Sequence, residues 1–266
     1  MSGLTFVRLG RGVTHYSDRG PRDATALVFA NSLGTDLRVW QAVADHFAPR
    51  YRILQYDKRG HGLSALSPGG WSIPALAGDL AELMEERGIA SAVVLGLSVG
   101  GMIAQSLGAA RPDLVRALVL SNTGHKIGTA EAWQQRIDGA RAGGIASLAD
   151  AVMERWFSAE FRNASPAELA GWRAMLTRTE MEGYIGVCQA IRDADLTVST
   201  GALTQPALCI AGGADGATPP ALVRELAGLI KGASVVEIPG VGHLPCVEKP
   251  ASVIEVVEDF LKELGL

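Results

Sequence analysis

The stretch GLSVGG, Gly96 to Gly101, directly follows the apolar run AVVL and predicts a strand that turns into a helix. It matches G-x-S-x-G, the pattern of a sharp strand-to-helix turn that holds a serine at its tip. Glycine suits such a turn because it tolerates positive φ and lets neighbouring backbone approach closely. A plain Gly/Ser turn fits the same letters, so the chemical role of Ser98 depends on partners elsewhere in the chain.

The segment around this turn is long and apolar. No charged residue occurs from Ile89 to Ala110, which is long enough to suggest a membrane-spanning helix. The character of the segment changes midway, because SAVVLG is short and contains β-branched residues, whereas GMIAQSLGAA is typical of a helix. We therefore expect a buried strand, a turn at Ser98 and a helix, and not a membrane span.

Outward from the turn, strand-like and helix-like segments alternate. TFVRL and VTHYSD predict an opening hairpin. The further predicted strands are ALVFA, RILQYD, VRALVLSN, ALCIAGG and SVVEIPG, and the predicted helices cover Leu37–Ala48, Ile73–Arg87, a segment from about Pro219, and Ala251–Leu264. This alternation predicts an α/β fold, a mostly parallel twisted sheet with helices on both faces.

The alternation breaks between Gly124 and about Asp195. That segment contains several helical patterns and no clear strand. We therefore expect a helical cap at residues 125–195, inserted into a core formed by residues 1–124 and 196–266. A chain of 266 residues can build such a core as one domain.

Composition narrows the classes of partner. The chain is 48% hydrophobic and 20% charged, as in globular proteins, and its net charge of -4 gives no general attraction to nucleic acid or to an anionic membrane. It contains no GxxxxGK[ST] loop, no HExxH pair and no cluster of metal ligands. We expect a small-molecule substrate and no metal or other cofactor.

Cysteine usage bears on the compartment. Cys188, Cys209 and Cys246 are widely spaced and form no CxxC pair, so we expect reduced thiols in a cytoplasmic protein. The N-terminal stretch MSGLTFVRLGRG has no long apolar run of the kind found in secretory signals.

Two loops after later strands offer partners for Ser98. Function in such a sheet gathers at the carboxyl ends of the strands, and there Asp215 follows ALCIAGG and His243 follows SVVEIPG. A serine nucleophile needs a base and an acid that orients the base, and after this kind of turn they follow in the order Ser, Asp, His. Asp215 could instead cap the next helix, and His243 could be an ordinary loop histidine. Agreement among three loops favours the triad.

Other candidates for base and acid fit less well. The remaining histidines all precede Asp215 and break the order: His15, His46, His61 and His125. His61, in RGHG, is typical of a turn or packing residue. Asn122, at the end of VRALVLSN, carries no charge that would stabilise an imidazolium.

The loop NSLGTD, residues 31–36, follows the strand ALVFA and would complete the site. In this arrangement a backbone N–H of that loop and the N–H of the residue after the nucleophile bind the oxyanion of the transition state. The candidate donors are the N–H groups of Leu33 and Val99. A Gly/Asn/Ser turn with a helix cap explains the same letters, and both interpretations can hold together.

Six segments together carry a resemblance to a known family. They are FANSLGTDLRVW, YDKRGHGLS, GLSVGGM, GYIGVCQAIRDADL, ATPP and VGHLPCVEKP. The chain resembles the 3-oxoadipate enol-lactonases of the α/β-hydrolase superfamily along nearly its whole length. The serine turn and RGHG belong to the superfamily at large, whereas NSLGTD, CQAIRDADL and DGATPP are closer to the lactonases. Asn31 and Ser32 replace the His-Gly pair of many superfamily members, as they do in the lactonases.

Two positions depart from the pattern of similar enzymes. Val99 stands where methionine is common, and Pro245 and Cys246 stand near positions where serine and asparagine often occur. These differences bear on substrate preference and leave the triad intact.

The resemblance implies an α/β-hydrolase fold and hydrolysis of 3-oxoadipate enol-lactone to 3-oxoadipate in aromatic catabolism, without a cofactor. Ser98 would be the nucleophile, His243 the base and Asp215 the acid. Other esterases and hydrolases of carbon-carbon bonds use the same scaffold, and some members with a triad are ligand receptors. A serine at position 98 argues against a dehalogenase or an epoxide hydrolase, which carry aspartate there.

The anionic arm of such a lactone requires a local cation or several N–H donors in an acidic protein, and the cap is the expected source. Its arginines are Arg136, Arg141, Arg155, Arg162, Arg173, Arg178 and Arg192. Most of these should be solvated helix charges. Trp133, close to where the chain enters the cap, is the expected apolar contact for the ring, whereas Trp156 and Trp172 fit packing inside the cap better.

Overall fold

A computed structural model describes residues 5–67 and 69–266, so the first four residues of the N-terminal stretch lie outside the description. The strands are β1 Thr5–Leu9, β2 Gly12–Arg19, β3 Ala26–Ala30, β4 Arg52–Tyr56, β5 Ala92–Leu97, β6 Val115–Ser121, β7 Ala207–Gly212 and β8 Ser234–Ile238. They form an eight-stranded sheet in the order β1-β2-β4-β3-β5-β6-β7-β8. The pairs β1–β2 and β2–β4 are antiparallel and the others are parallel, as the alternating pattern predicts.

Helices connect the parallel strands, and two more follow the last strand. They are α1 Gln41–Phe47, α2 Ile73–Glu86, α3 Val99–Ala110, α9 Thr197–Gly201, α10 Pro220–Leu229, α11 Pro245–Glu248 and α12 Pro250–Glu263. The predicted helix at Leu37–Ala48 begins as a 3-10 turn, Leu37–Trp40, and the Asp36 carboxylate accepts a hydrogen bond from the Arg38 N–H at its start. The short helix α11 was not predicted from the sequence.

Every residue of β3, β4, β5 and β7 is buried. Successive side chains of a strand point to opposite faces, so complete burial requires that both faces of the sheet are covered. The helices α1 and α12 pack together, and α2 and α9 both contact α3. The expected α/β-hydrolase architecture, with helices on both faces, is confirmed.

The apolar segment from 89 to 110 contains β5, the turn at Ser98 and α3. Both elements are buried within the sheet and its covering helices. Among the residues that the structure describes, no helix is long and apolar enough to cross a membrane.

Residues 122–206, all of which are described, contain helices and no strand. Between β6 and α9 these helices are α4 Ala130–Gly143, a 3-10 turn Ile145–Leu148, α5 Ala149–Trp156, α6 Ala159–Ala164, α7 Pro166–Thr177 and α8 Met181–Arg192. Side chains of the sequence set several starts, since Thr129 and Ser158 accept hydrogen bonds from the first turns of α4 and α6. We infer that this insertion is the predicted cap, and the boundaries at residues 124 and 196 stay a prediction.

The backbone of the insertion contacts the backbone of the core where Gly183 meets Gly60. A Cβ on Gly183, in the first turn of α8, would lie 2.4 Å from the carbonyl oxygen of Gly60. Since Gly60 belongs to the loop after β4, the backbone of α8 rests on the backbone of that loop.

We expect Gly183→Ala to destabilise the protein by about 1 to 3 kcal/mol, because the methyl group has no space unless α8 moves. Gly171→Ala is the matched control, since Gly171 lies in α7 and a Cβ there meets nothing within 4 Å. That variant should gain about 0.5 to 1 kcal/mol from helix propensity. Urea unfolding followed by circular dichroism measures both, and equal stability of the two variants would contradict the close contact.

Candidate active site

Ser98 occupies the single-residue junction between β5 and α3 with φ 57° and ψ −119°. An L-residue rarely adopts such values, and holding one there costs about 1 to 3 kcal/mol. Surrounding hydrogen bonds keep it in place: the Ser98 N–H donates to the Ser121 carbonyl at 3.0 Å, and the Thr123 hydroxyl donates to the Ser98 carbonyl at 2.6 Å. The strained turn therefore depends on β6 and the loop after it.

Of the two reasons expected for glycine in the motif, positive φ and close backbone approach, only the second applies to Gly96 and Gly100. The positive φ lies at Ser98 itself, and Gly96 and Gly100 do not have it. A Cβ on Gly96 would lie 2.3 Å from the Gly100 carbonyl oxygen, and a Cβ on Gly100 would lie 2.2 Å from the Ala30 carbonyl oxygen. Glycine is required at both positions because backbone approaches closely, which brings the end of β3 against the start of α3.

Asp215 and His243 meet at the carboxyl ends of neighbouring strands β7 and β8. The Nδ1 atom of His243 lies 2.8 Å from Oδ2 of Asp215, and the two residues are 2% and 5% exposed. Nδ1 acts as the donor to the carboxylate, which leaves Nε2 as the unprotonated nitrogen of the neutral ring. The sequence-predicted acid and base therefore form a buried pair.

The Asp215 carboxylate accepts four further hydrogen bonds. Its Oδ1 accepts from the N–H groups of Ala217 and Thr218, and its Oδ2 accepts from the Thr218 hydroxyl at 2.6 Å and the Asn122 amide at 2.9 Å. Burial acts to raise the pKa of Asp215, but the charge and hydrogen bonds of His243 and the other donors together lower it. Asp215 is thus held ionised.

Sequence reasoning missed the contribution of Thr218 and Asn122 to this carboxylate. A threonine three residues after an aspartate is a common turn pattern, so ATPP contained a usable signal for Thr218. Asn122 has no such local signal, because it lies 93 positions from Asp215 and meets it only across strands.

The histidine loop is joined to the inserted helices. The His243 N–H donates to the Trp156 carbonyl at 2.8 Å, and the Glu248 carboxylate accepts from the N–H groups of Gly242 and Ser158. Gly242 permits this contact, since a Cβ there would lie 2.6 Å from the Trp156 carbonyl oxygen. The end of α5 therefore helps to fix the position of His243.

The predicted oxyanion donors, Leu33 and Val99, belong to two segments next to Ser98. Leu33 belongs to the loop after β3, and β3 pairs in parallel with β5, whose end carries Ser98. The contact of Gly100 with Ala30 brings that loop against the first turn of α3, where Val99 is fully buried. Both N–H groups belong to segments that border the serine.

A cavity of about 340 Å³ contains Ser98, Leu33 and His243 in its wall. Ser98 is 8% exposed, and no described residue forms a hydrogen bond with its hydroxyl. The hydrogen bond between a catalytic serine and its base is often long in the absence of substrate and shortens in the complex. The remaining wall comes mainly from the inserted helices and includes Trp133, as expected, and Trp156, which the sequence had assigned to packing.

Two of the seven arginines reach this cavity, Arg136 and Arg155. The Nε of Arg136 donates to the Tyr184 hydroxyl at 2.7 Å, and its guanidinium lies 5.4 Å from the Trp133 ring centroid. Neither arginine forms an ion pair within the described part of the chain, whereas Arg173 and Arg192 pair with nearby aspartates. Arg136 and Arg155 are therefore the cations available to an anion in the cavity.

Comparison with known proteins agrees with this geometry. A sequence model of the Alpha/beta hydrolase family matches residues 27–256. The chain belongs to this family. The hydrolase is 34% identical to 3-oxoadipate enol-lactonase 2 of Acinetobacter baylyi, with 94% of each chain covered. It is 30% identical to 3-oxoadipate enol-lactonase 1 of the same organism, with 92% of this chain and 91% of the relative covered.

A solved structure is similar as well. The enol-lactonase from Burkholderia xenovorans LB400 superposes with a TM-score of 0.94 at 38% identity, over 97% of this chain and all of the other. The resemblance to the enol-lactonases is confirmed.

We expect Asp215→Asn to lower kcat of this hydrolase by about 10⁴, because an amide no longer fixes the reactive tautomer of His243 or stabilises its charged form. Steady-state hydrolysis of an aryl ester and circular dichroism measure activity and folding. Asp113→Asn is the control, since Asp113 is an exposed carboxylate paired with Arg111. Near wild-type turnover by a folded Asp215→Asn variant would remove Asp215 from the mechanism.

Proposed function

We propose that the protein is a serine hydrolase that opens the ring ester of 3-oxoadipate enol-lactone to give 3-oxoadipate. The buried Asp215–His243 pair beside Ser98 in one cavity carries the proposal. The enol-lactonase relatives, which match over most of the chain, support the choice of substrate. We propose that the reaction belongs to the breakdown of aromatic compounds. Its three cysteines are unpaired and buried, in keeping with action in the reducing cytoplasm.

In the first half-reaction the Ser98 hydroxyl attacks the lactone carbonyl carbon. Nε2 of His243 takes the hydroxyl proton, and Asp215 stabilises the resulting imidazolium through Nδ1. The carbonyl oxygen becomes an oxyanion, which the N–H groups of Leu33 and Val99 bind. Each such donor is worth about 3 kcal/mol, since the charge develops only in the transition state.

Collapse of the tetrahedral intermediate breaks the ring C–O bond. The leaving group is an enolate, which takes the proton from His243 and relaxes to the ketone. Water then gives its proton to His243 and attacks the acyl carbon, and the same oxyanion donors act again. Return of the proton to Ser98 completes the cycle, so no cofactor is required.

We further propose that Arg136 binds the free carboxylate of the lactone. The contacts with Tyr184 and Trp133 fix the side chain in advance, so little conformational entropy is lost when it binds an anion. Its terminal nitrogens have no described carboxylate partner. Arg155, on the exposed face of α5, is the alternative cation.

Two other functions fit the same scaffold. A different ester or a carbon-carbon bond in a ring-fission product would use the same triad, and comparison of such substrates with the lactone separates these activities. A ligand receptor with a retained triad would turn over slowly, whereas the proposed lactonase turns over repeatedly without a partner.

We expect Ser98→Ala to reduce turnover of the lactone by about a millionfold while the protein stays folded, since the hydroxyl faces a cavity. Ser106→Ala is the matched control, because Ser106 is a buried serine of the same helix α3 outside the cavity. Loss of the lactone's ultraviolet absorbance measures both variants. If Ser98→Ala kept a tenth of wild-type activity, Ser98 would not be the nucleophile.

We expect Arg136→Met to lower kcat/KM for the carboxylated lactone about tenfold to a hundredfold, because a charge-assisted contact worth about 1.5 to 3 kcal/mol is lost. Hydrolysis of a neutral aryl ester should change little. Arg155→Met tests the alternative, and Arg173→Met, paired with Asp150 outside the cavity, is the control. If the Arg136 and Arg155 variants both treated the two substrates alike, recognition by a cap arginine would be wrong.

A further inference from the structure

Lys58 is a buried lysine two residues after the end of β4, and it belongs to neither the proposed triad nor the cavity wall. It is 2% exposed and forms no ion pair with a described carboxylate. Its Nζ donates to three oxygens: Oδ1 of Asn31 at 2.7 Å, the carbonyl of Ser32, and the carbonyl of Thr35 at 3.4 Å. All three acceptors belong to the loop at residues 31–36. An ammonium has three N–H groups, and here all of them bind one loop.

Burying an ammonium without a carboxylate partner is costly, so its position calls for a reason. Asp57, the preceding residue, does not provide a partner, because its Oδ1 binds the Leu37 N–H and its Oδ2 binds His15 and the Leu63 N–H. The charge of Lys58 is instead directed at backbone carbonyls. The strongest of these contacts is with Ser32.

The Ser32 carbonyl and the Leu33 N–H belong to the same peptide group. A trans peptide is planar, and its C=O and N–H point in opposite directions. A donor that holds the carbonyl oxygen therefore fixes the direction of the N–H. The Ser32 oxygen also accepts from the Thr35 hydroxyl at 3.0 Å and the Thr35 N–H at 3.3 Å, so this peptide is held from three sides.

We propose that Lys58 is a positioning residue of the oxyanion hole, and that its ammonium holds the Ser32–Leu33 peptide with the Leu33 N–H directed at the reacting carbonyl oxygen. The proposal rests on the proposed function, in which Leu33 is an oxyanion donor. A positive charge on the carbonyl end also withdraws electron density from the amide, which makes its N–H a stronger donor. The Asn31 side chain accepts a hydrogen bond from the ammonium and so holds it beside this peptide. Many members of the superfamily have histidine at this position.

The charge state of Lys58 gives this role a pH signature. Burial lowers the pKa of Lys58 to about 7, although the charges of Asp57 and Asp36 favour the protonated form. His61 is the other titratable group that interacts with it, and burial, followed by the charge of Lys58, lowers the pKa of His61. The folded protein therefore loses the Lys58 proton near pH 7, whereas an unfolded chain keeps it until its ordinary value of 10.5.

Loss of this proton has opposite effects on the free energy of unfolding and on turnover. Between these values the unfolded chain binds more protons, so the free energy of unfolding rises with pH. Turnover falls over the same range, because a neutral amine donates fewer hydrogen bonds and lacks the charge. If Lys58 only stabilised the fold, its titration would change the free energy of unfolding and leave kcat of the folded enzyme unchanged.

The experiment compares wild type with Lys58→Met, which keeps the length of the side chain and removes the charge. We expect kcat for the lactone to fall about tenfold to a hundredfold, somewhat less than removal of an oxyanion donor itself costs, with KM nearly unchanged. The inhibition constant of an aryl boronic acid, which forms a tetrahedral adduct on the serine, should rise by a similar factor. The alkaline decline of kcat in wild type should be absent from the variant.

Two controls make the result decisive. Lys262→Met removes an exposed lysine paired with Asp259 on α12 and should leave kcat unchanged. If Lys58→Met does not fold, Thr35→Val removes one hydroxyl donor from the same Ser32 oxygen and should lower kcat without changing KM.

The outcomes separate this proposal from the proposed function. If a folded Lys58→Met variant has wild-type kcat and boronate affinity, the role of Lys58 is overturned. Where that variant does not fold, the same result in Thr35→Val overturns it. An inactive Ser98→Ala variant still supports the serine mechanism in either case. A fall in stability with unchanged kcat would assign Lys58 to the fold alone. An active Ser98→Ala variant would overturn both.

Discussion

The close approach of three backbone segments around Ser98 is the constraint on which the rest of the site depends. The end of β3 lies against the start of α3 because Gly100 has no side chain, and Gly96 lets α3 leave β5 at a sharp angle. Ser98 then takes a strained conformation, which is maintained by a hydrogen bond from its N–H to the Ser121 carbonyl and one from the Thr123 hydroxyl to its own carbonyl. The same contact places the loop after β3 beside the serine, so one packing contact positions both Ser98 and the loop at residues 31–36.

Two buried charges of opposite sign lie on either side of this turn. The Asp215 carboxylate accepts five hydrogen bonds, one of them from His243, and the Lys58 ammonium donates three hydrogen bonds to the loop at residues 31–36. Burial penalises both charges, and only the donors or acceptors around each offset that cost. The donors around Asp215 outweigh its burial, so its pKa is lowered. Around Lys58, burial outweighs the favourable charges of Asp57 and Asp36, so its pKa is lowered as well. For a carboxyl this favours the charged form, and for an amine it favours the neutral one.

The inserted helices have a part in the proposed chemistry as well as in selection. They supply most of the cavity wall, including Arg136 and Arg155, which form no ion pair within the described part of the chain, and the Trp156 carbonyl accepts a hydrogen bond from the His243 N–H. A shift of α5 would therefore move the backbone of His243. The backbone hydrogen bond from His243 to Trp156 and the contacts of Glu248 with Gly242 and Ser158 join the inserted helices to the histidine loop.

The sequence by itself determined the order of strands and helices, the inserted helical segment, the serine turn and the identity of Asp215 and His243. These follow from local patterns: apolar periodicity, turn residues after strands, and the chain order of the three loops. Tertiary structure decided which φ is positive at the turn, that Asn122 and Thr218 complete the acid, that two of seven arginines reach the cavity, and that Lys58 is buried. Each of these depends on contacts between residues distant in the chain or on which face of a helix meets the core. Residue order does not encode such contacts locally, because they arise only when the sheet closes and the helices pack on it.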